Sequence, residues 1–280
     1  MKRSRGIALA ELMVALAVGL GLVLAAATLQ ARISQLSRQA SELAEAQDAL
    51  RIALGVIEHD LRHAGFWGLV PEASAVAGRT GDAGAAPVSV ISDCGGGWAA
   101  RLERPLEVHR GGWALDCPPN GGAHGASHVL VLRRAKVSMT SEDAGILQLA
   151  SDRWRGRLFA DGSGMAGAEV EIRDLVARAY YVSRRSTADP SRPSLRRKTL
   201  QRGPRMVDEE VNAGIAAMTV ELGVDGDAPG EPGHGLPDAF VAPGTPAAGD
   251  VVAVRVKLTA HGPDRLTAFR TVRLQERAPW

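Results

Sequence analysis

One acidic residue, Glu11, stands inside a long apolar run near the N-terminus. The run covers residues 7–29, which is 23 residues, and Glu11 is its only charged member. A carboxylate near the end of a membrane span costs about 1–3 kcal/mol on insertion scales, so it needs a compensating interaction. A free α-amino group would supply one, because opposite charges neutralise each other in a low-dielectric surrounding.

A short basic leader precedes the run and could be cut to create that amino group. Residues 2–5 carry three basic side chains, and the leader ends at Gly6. Cleavage between Gly6 and Ile7 would place a new α-amino group four residues before Glu11. A basic leader, a glycine, a hydrophobic residue and a glutamate five places after the glycine together resemble the start of a type IV prepilin. The resemblance implies cleavage at Gly6–Ile7, N-methylation of Ile7 and an assembly role for the Glu11 carboxylate.

Two other interpretations compete for this segment. A secretory signal could be cleaved near Ala25–Ala27, or the run could be a plain membrane anchor. Its length of roughly 35 Å as a helix suffices to cross a hydrocarbon core of about 30 Å. The positive-inside rule leaves the leader in the cytoplasm and the remainder across the membrane. Glu11 favours the prepilin interpretation, because a signal peptide that is destroyed after use gains nothing from a carboxylate.

Cys94 and Cys117 are the only two cysteines of the chain. They fall in the part that is expected to be exported, where an even number of cysteines favours one disulfide over free thiols or a metal pair. Closing this loop would stabilise the fold by roughly 3 kcal/mol in the chain-entropy account.

Two histidine pairs have the spacing of metal ligands. His59 and His63 are four residues apart, as in a zinc-protease helix, but Asp60 replaces the glutamate base and the sequence indicates no third ligand. His124 and His128 have the same spacing in a Gly-rich segment without cysteine partners. We therefore expect a solvated helix end for the first pair and no metal at either.

The aspartates Asp225 and Asp227, on either side of a glycine, resemble the first half of a calcium loop. No glutamate follows at the bidentate position, so a plain turn is the favoured interpretation and these two residues remain the candidate calcium ligands. Residues 162–167 match a dinucleotide fingerprint literally, but their surroundings do not read as strand, loop and helix. The sequence predicts no catalytic residue and no cofactor, and therefore a protein that is not an enzyme.

Helical periodicity continues beyond the apolar run. Apolar residues recur at steps of three, four and seven, with charged residues between them. This pattern predicts one helix over residues 7–64, apolar in its first part and amphipathic in its second, with Gly65 as its C-cap. The apolar positions are Ile33, Leu36, Ala40, Leu43, Leu50, Leu54, Ile57 and Leu61.

After Gly65 the sequence changes to short β-like runs that are separated by Gly/Pro-rich loops. Residues 252–259 alternate apolar with polar or small side chains, which is typical of a half-buried strand. No regular alternation of strands and helices is present, so antiparallel pairing and an α+β class are expected. The predicted strands are Val88–Ser92, His128–Arg133, Leu175–Ser183, Ala216–Val224, Val251–Ala260 and Arg270–Gln275.

The charge balance excludes a nucleic-acid partner. The chain has 33 basic and 31 acidic residues, a net charge of +2. Three of the basic residues lie in the leader, so without residues 1–6 the count is 30 against 31, a net charge of −1. No electrostatic footprint for phosphates remains.

Several later segments extend the resemblance over the whole chain, to PilW-type minor pilins of type IV pili. Residues 60–66 match the D-L-R-x-A-G pattern that this family has at its helix end. Two departures occur at the start of the run, where Ile7 and Ala8 replace a usual Phe and a frequent Thr or Ser. The other matching segments are residues 179–182, 193–197, 220–225 and 251–256.

The resemblance implies a type IV pilin fold with a membrane-spanning helix and an antiparallel β-sheet head. It implies a leader over 1–6, a transmembrane or filament-core helix over 7–29, an amphipathic continuation over 30–64 and a head over 65–280. Such a protein is held in the inner membrane with a periplasmic head and then joins the pilus, the fibre of twitching motility. Its partners would be other minor pilins, the major pilin, the prepilin peptidase and methylase, and a tip adhesin. The alternatives are a minor pseudopilin of type II secretion and a secreted adhesin or enzyme.

Overall fold

The computed structural model describes residues 9–85, 88–167, 169–246, 249–262 and 265–274. It begins with α1, a helix of 53 residues over Leu9–Leu61, and continues as a sheet-rich part with two short 3-10 helices, Ala73–Ala75 and Trp98–Ala100. The expected α+β layout, a long apolar N-terminal helix followed by β-structure, is therefore confirmed.

Twelve strands follow α1 within the described residues. The first six are β1 (Val76–Ala77), β2 (Leu106–His109), β3 (Val129–Ala135), β4 (Gln148–Ser151), β5 (Gly156–Phe159) and β6 (Glu171–Ser183). The others are β7 (Ser194–Gln201), β8 (Arg205–Ala213), β9 (Ile215–Asp225), β10 (Ala239–Val241), β11 (Asp250–Ala260) and β12 (Thr267–Arg273).

The chain divides into two compact units, Met1–Glu45 and Ala46–Trp280, and the boundary falls inside α1. The described part of the first unit is helix throughout, and its apolar side chains are exposed. By length and composition, α1 is the one described helix that could cross a membrane, which is consistent with a single-pass anchor.

The last turns of α1 belong to the second unit and carry a buried apolar stripe. Leu50, Leu54, Ile57 and Leu61 are each at most 4% exposed and belong to one core with residues from both sheets. Ile33, Leu36 and Leu43, the earlier positions of the same periodic pattern, are exposed in the first unit. Among the described residues, the buried part of the periodic stripe is therefore the end of the amphipathic segment.

Eight strands form the larger sheet, with the order β1-β5-β4-β6-β3-β2 and with β7 and β8 joined to it through β6. Its centre is β6, whose 13 residues pair with β4 near its start, with β3 in its middle and with β7 near its end. The expected antiparallel pairing holds except for the two-residue parallel contact between β1 and β5.

The smaller sheet has four strands in the order β10-β9-β11-β12, all antiparallel. On β11, Val254, Val256 and Leu258 alternate with more exposed residues and are buried in the core that also contains the end of α1. The second unit is thus two sheets that share a core with one helix.

One predicted strand is wrong and several are missing from the prediction. Val88–Ser92 is not a strand: Ile91 is 59% exposed and forms an isolated bridge to Arg205. The strands β1, β2, β4, β5, β7, β8 and β10 were not expected. The last predicted strand, Arg270–Gln275, begins earlier, because β12 starts at Thr267.

The hairpin of β7 and β8 is stabilised by charge rather than by hydrophobic alternation. Its register places Arg197 opposite Glu209 and Lys198 opposite Asp208, and each pair forms a salt bridge. Opposite charges directly across an antiparallel pair stabilise it, so these strands form without the apolar pattern that sequence analysis looks for.

Candidate functional site

Glu11 lies in the first turn of α1 and is exposed. It stands at one end of a shallow groove on the helix surface, which Ala15, Gly19 and Leu22 also line. A Cβ atom added at Gly19 would meet nothing within 4 Å. Small side chains on a membrane helix let a second helix approach closely. Gly6 and Ile7, the predicted cleavage and methylation residues, lie outside the described residues.

The end of α1 carries a second carboxylate, Asp60, which is 1% exposed and reaches the larger sheet. Its Oδ1 accepts a hydrogen bond from Nη2 of Arg134 on β3 at 2.9 Å. Nη1 of Arg178 on β6 donates to Oδ1 at 2.9 Å and to Oδ2 at 2.7 Å, and the Tyr180 hydroxyl donates to Oδ2 at 2.6 Å. One helix carboxylate is therefore bound by three side chains from two central strands.

These contacts keep Asp60 ionised despite its burial. Burial alone would raise the pKa of the carboxyl, but the charge of Arg178, the hydrogen bond from Tyr180 and the charge of Arg134 hold that pKa below its ordinary value. Burial and the neighbouring Asp60 charge raise the pKa of the Tyr180 hydroxyl, so it remains a donor. The cluster is a buried ion-pair network that fixes the helix end on the sheet, and within the described residues only Nε of Arg178 among its buried nitrogens has no hydrogen-bond partner.

The predicted disulfide between Cys94 and Cys117 is present, which confirms it. Both cysteines are buried, in a small core with Trp98, Val131 and Tyr181. Nε1 of Trp113 donates to the carbonyl oxygen of Cys117 at 2.6 Å, and the Trp113 ring meets Tyr181 edge-on at 4.7 Å between centroids. The bridge thus holds a loop against the face of β3 and β6.

A buried arginine ties the same loop to β3 and β2. Nε of Arg133 donates to the carbonyl oxygen of Trp98 at 2.8 Å, and its Nη1 donates to Glu107 at 2.6 Å. The guanidinium carbon lies 4.6 Å from the Trp98 ring centroid, within cation–π range. Burial lowers the pKa of Arg133, and the Glu107 charge opposes that change.

Asp225 and Asp227 meet a third carboxylate, Asp238, and one oxygen of each lies within 4.8 Å of the others. Asp225 is buried, and its carboxylate accepts hydrogen bonds from the backbone N–H groups of Asp227 and Gly235 at 2.9 and 2.5 Å. These two hydrogen bonds lower the pKa of Asp225. Burial and the charges of Asp238 and Asp225 raise the pKa of Asp227. The loop's own peptide groups therefore balance part of this charge.

One ring nitrogen of each histidine pair contacts the backbone in the described part of the chain. Nδ1 of His63 lies 2.8 Å from the carbonyl oxygen of His59, and the rings are tilted at 5.2 Å between centroids. Nδ1 of His128 accepts a hydrogen bond from the Val220 N–H at 3.0 Å, which links β9 to the start of β3. These imidazole nitrogens contribute to the fold.

The site residues that sequence analysis named lie in separate places. Glu11 is in the first unit, whereas the disulfide lies on the larger sheet and the acidic loop follows β9 of the smaller one. In the sequence Asp60 stands out only as part of the D-L-R-x-A-G pattern, and its ion pairs were not predicted. Its burial could have been predicted from spacing: Asp60 lies three residues after Ile57 and four before Ala64, on the buried side of α1.

Comparison with known proteins gives no match to a family model, a curated protein or a solved structure. The function is therefore inferred from the residues of the chain itself.

Proposed function

We propose that this protein is a PilW-type minor pilin, which joins other minor pilins in a tip or priming complex of a type IV pilus. It would be made as an inner-membrane precursor with a cytoplasmic leader and a periplasmic head. The peptidase would cut between Gly6 and Ile7 and methylate the new terminus, after which the helix passes into the filament. The type IV pilin fold is part of this proposal.

The observation that carries the proposal is a carboxylate placed at the start of an unbroken apolar helix. Glu11 is in the first turn of α1, and the helix continues without interruption to Leu61, where it joins the sheets. A removable signal needs neither the carboxylate nor the continuation into a folded domain. A subunit that packs by its helix uses both, because helix association in an apolar medium gains register from a paired charge.

The second unit supports a role in assembly. Its sheets hold the end of α1 through the Asp60 ion pairs and the buried stripe from Leu50 to Leu61. The eight-stranded sheet is larger than that of a typical pilin head. We assign this additional structure to contacts at a tip, where a subunit has neighbours on fewer sides than in the shaft.

The N-terminus of the mature protein tests the proposal. Mass spectrometry of protein purified from membranes should find a chain that begins at Ile7 and carries one methyl group on its nitrogen. A mature chain that begins near Thr28, or one that retains the leader, would refute the proposal. A minor pseudopilin shares this terminus, so a deletion strain distinguishes the two: loss of surface pili with normal secretion supports the minor pilin.

A further inference from the structure

Strand β12 forms an open edge of the smaller sheet. Its seven residues, Thr267–Arg273, pair along their whole length with β11, and within the described residues no strand pairs with its other side. An edge of this kind presents backbone donors and acceptors in the spacing that another strand requires.

The hydrogen bonds at the two ends of this hairpin identify which backbone groups face outward. The Ala260 N–H donates to the Leu266 oxygen and the Leu274 N–H donates to the Val252 oxygen, both at 2.8 Å. In an antiparallel ladder, alternate residues point their N–H and C=O groups to the same neighbour, so the even-numbered residues of β12 face β11. The outward-facing residues are Thr267, Phe269, Thr271 and Arg273, and all four are exposed.

Helix α1 lies beside this edge. Nε of Arg270 on β12 lies 3.4 Å from Oε2 of Glu58, so this side of α1 is next to the strand. A segment that adds to β12 would therefore lie near this ion pair.

The surroundings of the edge are basic. Glu58 forms ion pairs with Arg62 and Arg270, and Glu221 with Arg255, so both nearby acids are already engaged. Pairing of β12 with a second copy of itself would place like charges side by side, which is unfavourable. The further basic residues of this hairpin are Lys257 and Arg273.

We propose that β12 accepts an extended acidic segment of a partner protein as a fifth strand of the smaller sheet. On the outer face, acidic side chains of the segment would lie next to Arg273, and their methylene groups would contact Phe269, which is 63% exposed. This inference is independent of the pilus proposal, because it uses only the open edge and the charge around it.

Binding of designed peptides to the full-length protein in detergent tests the proposal. The probe is a fluorescent nine-residue peptide in which glutamate alternates with valine, and its control has lysine in place of glutamate. Fluorescence anisotropy should show at least about tenfold tighter binding of the glutamate peptide. Hydrogen exchange should slow at the outward-facing amides of β12 when that peptide is present.

Two variants of one residue separate backbone pairing from side-chain contact. Thr271→Pro removes an outward N–H but keeps the ladder to β11, whereas Thr271→Ala keeps the N–H. The proline variant should bind about tenfold more weakly, and the alanine variant should bind like the wild type. Arg273→Glu, which reverses a charge on the exposed face of β12, should also weaken binding of the glutamate peptide and serves if the proline variant does not fold. Equal binding of both peptides, no binding of the glutamate peptide, full affinity in Thr271→Pro and Arg273→Glu, or self-association through β12 would each overturn the proposal.

Discussion

Asp60 and Arg178 are joined through one guanidinium nitrogen: Nη1 of Arg178 lies 2.9 Å from Oδ1 and 2.7 Å from Oδ2 of Asp60. The two residues are 118 positions apart in the sequence. Arg134 and Tyr180 complete the contacts of the same carboxylate. The end of α1 and the centre of the larger sheet thus depend on one ionised group, which makes it a sensitive point of the fold.

Replacing Asp60 by asparagine should destabilise the protein strongly. The change keeps the size of the side chain but leaves Arg134 and Arg178 without their anion, at a cost of about 3–5 kcal/mol. Urea unfolding of the purified protein, followed by circular dichroism, measures the loss. The matched control is Glu58→Gln, two residues earlier, whose two more exposed ion pairs, with Arg62 and Arg270, should together contribute less than about 1 kcal/mol. Similar losses in the two variants would contradict the assigned role of Asp60.

Removing the disulfide should also reduce stability. In the double variant Cys94→Ser, Cys117→Ser the unfolded chain regains the freedom of a loop with a sequence separation of 23, which corresponds to about 3 kcal/mol. The measurement is the urea midpoint under oxidising conditions. A thiol reductant added to the folded wild type should leave the bond intact, because both cysteines are buried. Rapid reduction without unfolding would show that the loop opens on its own.

Stability should fall as the pH decreases below about 6.5, in part because of His128. Burial and the charge of Arg110 lower the pKa of its imidazole, and Nδ1 must stay unprotonated to accept the Val220 N–H. The unfolded state therefore takes up the proton first as the pH falls. The effect of one such group is at most about 1.4 kcal/mol per pH unit.

The variant His128→Asn isolates this contribution, since an amide oxygen can accept the same hydrogen bond without titrating. Unfolding curves between pH 7.5 and pH 5.5 should show a smaller loss of stability in the variant than in the wild type. An unchanged pH dependence would assign the effect to other histidines.

Gly6→Val should block maturation if the chain is a prepilin. The peptidase must fit the peptide before Ile7, and glycine has no side chain to obstruct it. Immunoblots should then show full-length precursor in the inner membrane, whereas Ser4→Ala, in the same leader, should be cleaved normally. Normal cleavage of the Gly6→Val protein would refute this prediction.

Glu11→Ala should leave production of the protein intact and impair its assembly into pili. Insertion should not suffer, because the change makes the span more apolar, and the sheets belong to the other unit. In assembly, the carboxylate would pair with the amino group at Ile7, and loss of one partner would cost a few kcal/mol. We expect a cleaved, membrane-held protein that supports few surface pili, with Glu45→Ala as a control.

Immunoblots of sheared pili and membrane fractions, beside a deletion strain, measure this outcome. Wild-type pilus numbers, with the Glu11→Ala protein present in sheared pili at the wild-type ratio, would show that the pairing is not needed for this subunit.

Periodicity predicts the elements whose burial is one-sided. The stripe of α1 and the alternation of β11 each leave a clear pattern, because one face of the element meets the core. The pattern fails for β7 and β8, whose cross-strand ion pairs, such as Lys198 with Asp208, replace apolar contacts. Local sequence cannot reveal such partners, since register between strands decides which charges meet.

The candidate site residues also divide into those that local sequence predicts and those that only the folded chain reveals. The disulfide follows from the cysteine count, and Glu11 stands out against its apolar surroundings. The role of Asp60 depends on Arg134 and Arg178, which lie 74 and 118 residues away, so only the folded sheet brings them together. Asp238, the third carboxylate of the cluster with Asp225 and Asp227, is near Asp225 for the same reason, because β10 returns alongside β9.

The convergence of several donors on Asp60 has a mechanical consequence. A pulling force on the chain before residue 46 would enter the second unit through the last turns of α1. Arg134, Arg178 and Tyr180 hold one carboxylate, so their bonds would share the load and rupture together rather than one after another. Detachment of α1 from the sheets under tension should therefore occur as a single abrupt event, with little extension before it.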